Sequence, residues 1–320
     1  MQHDIRKNIN ITKDSKLIIG LGDSFVEGQG ALSEETWSRY DWSEERLNYL
    51  NHEETDDGKT EYQLIREEEN SNCFLTVLCD KYLSDFTPIN FGYRGNGNRA
   101  AVKALTTLHP DLNLSIAKEK IVVFFVGQLV RFDFFNKHDN NAHSYFHTIW
   151  PHEPDDTQSI GTQNLWRGYA TEVYSQKTAA LELICNIVEV QNWCKANNAK
   201  LLLVNSFTYD FDKELLTEAL KYRLPHKEPN YLLPLIDEID WSNLAELPDN
   251  RKQMIDILLD KEERPDLIGT DHIWYGWPRT MKSLTPKGYL TPCSHPSPKG
   301  HRLIAKTLAD IINKKYYASS

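Results

Sequence analysis

Lys16-Leu17-Ile18-Ile19-Gly20-Leu21-Gly22-Asp23-Ser24-Phe25-Val26-Glu27-Gly28-Gln29-Gly30 is the stretch that decides the fold. Leu17 to Leu21 is a short continuous apolar run, the pattern of a strand covered on both faces. It stops at Gly22, and Asp23 and Ser24 follow directly, with Gly28 and Gly30 behind them. In parallel sheets, ligands bind in the crevice beyond the carboxyl ends of the strands. The stretch therefore predicts a first strand over Lys16–Gly22 and makes Ser24 a candidate nucleophile.

Outward from this point the same alternation continues. Thr87–Gly92 reads as a short second strand ending in a glycine-rich turn. Lys120–Gly127 (KIVVFFVG) reads as a third strand and Lys200–Asn205 (KLLLVN) as a fourth. Apolar spacing predicts helices over Asn72–Leu83, Asn98–Leu108, Leu165–Ala196 with one break, and Gly300–Tyr316. Strands alternating with helices imply an α/β fold, a parallel sheet with helices on both faces. Ser24, Gly95 and Gln128 each fall just past a strand end, so the fold brings them to one rim.

Composition narrows the class. With 320 residues and 40% hydrophobic content, the chain can build one large α/β domain, 1–320, carrying insertions at 33–69, 128–164 and 207–291. The net charge of −10 argues against a nucleic-acid surface. Residues 33–69 hold thirteen acidic and four basic residues, the mark of a solvated insertion that could lie as a flap beside Ser24. No apolar run reaches the roughly 18 residues of a membrane span, and the first residues lack the apolar centre of a signal peptide. The expectation is a cytoplasmic or virion-associated protein. Cys73, Cys79, Cys185, Cys194 and Cys293 form no CxxC pair and read as reduced thiols.

Two further runs carry chemistry. Asn90-Phe91-Gly92-Tyr93-Arg94-Gly95-Asn96-Gly97-Asn98 follows the second strand. A glycine here lets backbone N–H groups approach a reacting oxygen without a Cβ in the way. His295-Pro296-Ser297-Pro298-Lys299-Gly300-His301 precedes the last helix, and a histidine there can take the proton of a serine hydroxyl. His301 falls in the first turn of that helix and reads as a packing or capping residue.

KLIIGLGDSFVEGQG, NFGYRGNGN and HPSPKGH, in this order, resemble the blocks of the GDSL, or SGNH, hydrolases. The likeness covers about 150 residues in four stretches. It implies a three-layer α/β/α sandwich with a flavodoxin-like parallel sheet. It also implies Ser24 as nucleophile, His295 as base, and the Ser24 amide and Gly95 as oxyanion donors. No metal or organic cofactor is implied.

The chain departs from the family pattern twice. Pro292 and Cys293 stand where the family carries the acid that orients the histidine, which leaves Asp271 as a candidate acid. Gln128-Leu129-Val130-Arg131 stands where the family has its GxND block, with Gln128 as a third oxyanion donor. GQLVRFDFF resembles a variant of that block, with an arginine after the strand, in phage- and bacteria-encoded relatives.

His138, His143, His147 and His152 cluster with Asp139, Asp155 and Asp156, and on a helix His143 and His147 would share a face. The surrounding Asn, Asp and Pro favour a solvated loop over a metal site. Trp274-Tyr275-Gly276-Trp277 lies shortly before His295, and such aromatics suit sugar rings or acyl groups. The resulting expectation is an esterase-type serine hydrolase, with a carbohydrate O-acetyl ester as a candidate substrate. A catalytically weakened SGNH-fold binding or structural module, for example in a virion, is the alternative.

Overall fold

The computed structural model describes residues 9–39, 60–93, 97–108, 112–127, 131–135, 146–149, 160–206, 211–221, 232–262, 288–291 and 295–318. Four strands form one parallel sheet: β1 (Lys16–Gly22), β2 (Phe86–Gly92), β3 (Glu119–Val126) and β6 (Lys200–Asn205), in the order β2-β1-β3-β6. Each matches a sequence-predicted strand to within a residue at either end. A separate antiparallel pair, β4 (Phe132–Phe135) and β5 (Phe146–Ile149), lies within the segment read as the second insertion. His147 is on β5, opposite Phe134, so it does not stand on a helix with His143. His138, His143 and His152 lie outside the described residues, as do Asp139, Asp155 and Asp156.

The alternation of side chains along β1 divides the core. Leu17, Ile19 and Leu21 face one side with Val122, Phe124 and Val126 of β3. They pack against α4 (Asn98–Lys103) and α5 (Gln176–Ala196) through Val102, Leu183, Ile187 and Val190. Ile18 faces the other side with Val123 and Phe125. There the cover is α3 (Phe74–Lys81), α7 (Met254–Lys261) and α8 (Pro298–Tyr316), through Phe74, Leu78, Leu258, Ile304 and Leu308. The result is an α/β fold, a four-stranded all-parallel sheet flanked by helices.

The helix boundaries follow local chemistry. Ser297 caps α8 by accepting from the Gly300 N–H, with Pro298 in the first turn, where its missing N–H costs nothing. Ser175 caps α5 in the same way, accepting from Thr178 N–H. The break expected within Leu165–Ala196 falls at Tyr174 and Ser175, where a π-helical turn over Tyr169–Val173 ends. α2 (Glu61–Asn72) was not foreseen, since it lies in the segment read as a solvated acidic insertion. Its start is a capping box, with Thr60 and Gln63 exchanging side-chain-to-backbone bonds.

Topology locates the site. From β1 the chain moves outward to β2, then crosses back to β3 on the other flank of β1. The order therefore reverses between β1 and β3, the place where open α/β sheets form their binding crevice. Lys16 to Gly22 pairs in register with Phe86 to Gly92, and Lys16 to Leu21 with Glu119 to Phe124, so the three strands end almost level. Among the described residues no helix is long and apolar enough to cross a membrane.

Leu308 is fully buried on α8, between that helix and the sheet. Leu308→Ala removes most of its contacts, and about 2–5 kcal/mol of stability should go with them. Urea denaturation of the two proteins at pH 7 measures the difference as a lower midpoint at unchanged slope.

Candidate active site

Ser24 opens α1 (Ser24–Glu27), and Asp23 is that helix's N-cap, its Oδ1 accepting from Phe25 N–H at 3.1 Å. The serine is only 6% exposed. His295 Nε2 lies 2.8 Å from Ser24 Oγ, a hydrogen bond that spans 271 positions of sequence. Phe25 packs beside the imidazole, ring centroids 5.0 Å apart. For Nε2 to accept the serine proton, the imidazole's own proton must sit on Nδ1. The two residues that the sequence singled out as nucleophile and base are thus in direct contact.

His295 is braced by its described neighbours. Its carbonyl accepts from Thr291 N–H at 2.8 Å and from Thr291 Oγ1 at 3.0 Å. Ser297 N–H donates to Tyr289 O at 3.0 Å, and Leu290 pairs with Pro296 as an isolated antiparallel bridge. Glu262, just past α7, accepts from both Tyr289 N–H and Leu290 N–H. Gly300 closes this loop against α8: a Cβ on it would lie 2.1 Å from Tyr289 O.

Three loops meet at the rim and are cross-linked by side chains. Asp23 Oδ2 accepts from Arg131 Nη1 at 2.9 Å, which ties the turn after β1 to the chain after β3. Asp133 accepts from Gly97 N–H at 2.8 Å and Ala100 N–H at 2.9 Å, which ties β4 to the start of α4. Asn98 meets both backbone groups of Gly127, accepting from its N–H at 2.7 Å and donating to its C=O at 3.2 Å. Asn90, near the end of β2, donates to Val26 O at 2.7 Å and accepts from Gly92 N–H at 2.8 Å. Gly92 permits that approach, since a Cβ there would stand 2.2 Å from Glu27 N.

The loop after α1 is held from α2. Glu69, 2% exposed, accepts from Gly30 N–H at 2.9 Å and pairs with Arg66, which also pairs with Glu27 at 2.6 Å. Glu68 accepts from Ser33 N–H and Thr36 Oγ1, each at 2.6 Å. At least these acids of the supposedly solvated segment are structural caps.

Gly95, Gln128 and Asp271 lie outside the described residues, as do Pro292 and Cys293. Cys73, Cys79, Cys185 and Cys194 are free thiols, and burial pushes Cys73, Cys79 and Cys194 up to about 12. Asp133, Asn98 and Glu69 were not foreseen as site-organising residues. For Asp133 and Asn98 the signal, an acid or amide following a predicted strand, is visible only once the strands are level; Glu69, on α2, carries no such signal. No family model matches this sequence, and no curated protein is significantly similar to it.

His301, six residues beyond His295, has a different environment. It is fully buried, stacks on Phe74 with ring centroids 5.9 Å apart, and accepts from Phe74 N–H on Nδ1 at 3.2 Å. Burial, and secondarily the neighbouring His295, lowers its pKa to about 3. Its Nε2 finds no partner among the described residues.

Two outcomes follow for this loop. Gly300→Ala should lower the thermal midpoint by several degrees, because the opposing atom is backbone and cannot rotate away. Differential scanning calorimetry measures it. The neutral His301 makes folding sensitive to acid, since the unfolded chain takes up a proton below about 6.5 that the folded one refuses down to about 3. Its contribution is complete above the unfolded value and is lost as pH falls toward the folded one. Between pH 6 and 4, wild type should lose up to about 1.4 kcal/mol per pH unit more than His301→Gln. Urea midpoints across that range give the two slopes.

Proposed function

We propose that this chain is a carboxylic ester hydrolase of the GDSL/SGNH type that works through an acyl-serine intermediate. The observation that carries the reading is the 2.8 Å contact between Ser24 Oγ and His295 Nε2 at the switch point of a parallel sheet. Strand order β2-β1-β3-β6 is compatible with the family's flavodoxin-like sheet and its three-layer sandwich. Ser24 on the turn after the first strand and His295 before the last helix match the family's order of blocks.

In this reading Ser24 Oγ attacks the ester carbonyl carbon while His295 Nε2 takes the hydroxyl proton. The carbonyl π pair moves onto oxygen, which the amides of Ser24 and Gly95, with Gln128, would receive. Collapse of the intermediate breaks the bond to the leaving alcohol, and His295 gives that alcohol its proton. Water then repeats the sequence on the acyl-serine, releasing a carboxylic acid and restoring Ser24. A carbohydrate O-acetyl ester is the substrate class to test first, given the aromatic run Trp274-Tyr275-Gly276-Trp277.

A second reading, a binding module with a weakened site, is favoured by Pro292 and Cys293 at the family's acid positions. A fluorophosphonate probe separates the two. An active site should take the phosphonyl group on Ser24, located by peptide mass spectrometry, with fluoride released. Ser24→Ala should take none, and His295→Asn should label at least 1,000-fold more slowly. A well-folded wild type that stays unlabelled would favour the binding module. On p-nitrophenyl acetate the same two variants should lose about 10⁴-fold or more in kcat.

A further inference from the structure

Arg131 meets Asp23 beside the proposed nucleophile. Its side chain is 6% exposed and that of Asp23 is 4% exposed, so the two form an ion pair withdrawn from water directly beside Ser24. We propose that Arg131 is the electrostatic positioning residue of the site. It neutralises the carboxylate of Asp23, so that Asp23 can cap the Ser24 helix without opposing the negative charge that grows on the substrate's carbonyl oxygen. This rests on the acyl-serine reading above.

The cap itself does not need a charge. An N-cap requires an acceptor oxygen, and Asn or Ser serves as well as Asp. Asp23 uses Oδ1 for the cap, on Phe25 N–H, and Oδ2 for Arg131 Nη1. Its full negative charge sits on the residue adjacent to the proposed nucleophile, where the effective dielectric is low and like charges interact strongly. Left alone, that charge would work against an oxyanion on the same rim. Arg131, 2.9 Å from Asp23 Oδ2, offsets it.

The described backbone on either side of Arg131 is held by side chains. Two residues further on, Asp133 holds the Gly97 and Ala100 amides, and Asn98 holds the Gly127 peptide. Guanidinium and carboxylate therefore meet at a set distance rather than through a mobile surface pair.

The test is epistasis between the two charges, read as the second-order rate of fluorophosphonate labelling at Ser24, with thermal melts to confirm folding. Arg131→Met should label about 100-fold more slowly than wild type, the scale of losing one oxyanion contact. Arg131→Lys, which keeps a charge, should recover part of that loss. Asp23→Asn/Arg131→Met keeps the cap and removes both charges, and should label at least 10-fold faster than Arg131→Met. A double variant no faster than Arg131→Met overturns the proposal. So does a folded Arg131→Met that labels like wild type.

If Arg131→Met does not fold, the double variant decides. Folded and within about 10-fold of wild type, it supports the proposal; folded and as unreactive as Ser24→Ala, it overturns it. A wild type that takes no label removes the acyl-serine reading and this proposal with it. A labelled wild type with an unaffected Arg131→Met removes this proposal alone.

Discussion

The buried carboxylate of Asp23 is the constraint around which the rim is organised. Taking a carboxylate and a guanidinium out of water costs several kcal/mol per ion, and only close, well-directed partners offset that. Asp23 has such partners on both oxygens, the Phe25 amide and Arg131. One of them belongs to the turn after β1 and the other to the chain after β3, so the loops cannot drift apart without exposing an unpaired charge to a low-dielectric rim. Removing one member of such a pair typically costs about 3–5 kcal/mol. The exposed pairs Lys213–Asp237 and Lys314–Glu246 are screened by water and contribute at most about 1 kcal/mol each. The rim's geometry depends on the buried pair.

The other cross-links extend the same logic to uncharged groups. Asn98 occupies both backbone hydrogen-bonding groups of Gly127, and Asp133 takes two amides at the start of α4. These backbone groups lie at strand and helix ends, where regular structure leaves them without internal partners. Side chains from the adjacent loop fill that need. Each satisfied amide also fixes one loop against another, so satisfying the backbone and positioning the rim are one requirement.

Much of this was legible in the sequence because strands buried on both faces must be apolar throughout. KLIIGLG, KIVVFFVG and KLLLVN have few other readings, and each strand lies within a residue of where its apolar run predicts. Ser24 and His295 were legible because each stands in a compact motif at the end of an element. α2 was not, because its acids are read as solvated when nothing in the linear chain reveals that Glu69 caps Gly30, thirty-nine residues earlier. β4 and β5 escaped notice because four-residue strands carry too little alternation to separate from loop. The cross-links made by Asp133 and Asn98 are long-range facts, fixed only when parallel register brings three strand ends level.

The two histidines of the last block show how environment divides one chemistry. His295 leaves the loop before α8 and meets a hydroxyl, while His301 enters the first turn of that helix and meets Phe74. A second imidazolium beside His295 would disfavour protonation of the proposed base, and that protonation is the step a general base must complete. Full burial keeps His301 neutral down to a pH of about 3, so it adds no positive charge beside the proposed base. The acceptor on Phe74 N–H also ties α8 to α3, and α8 carries the loop of His295 at its N-terminus. The buried His301 thereby helps hold in register the histidine that is proposed to transfer protons.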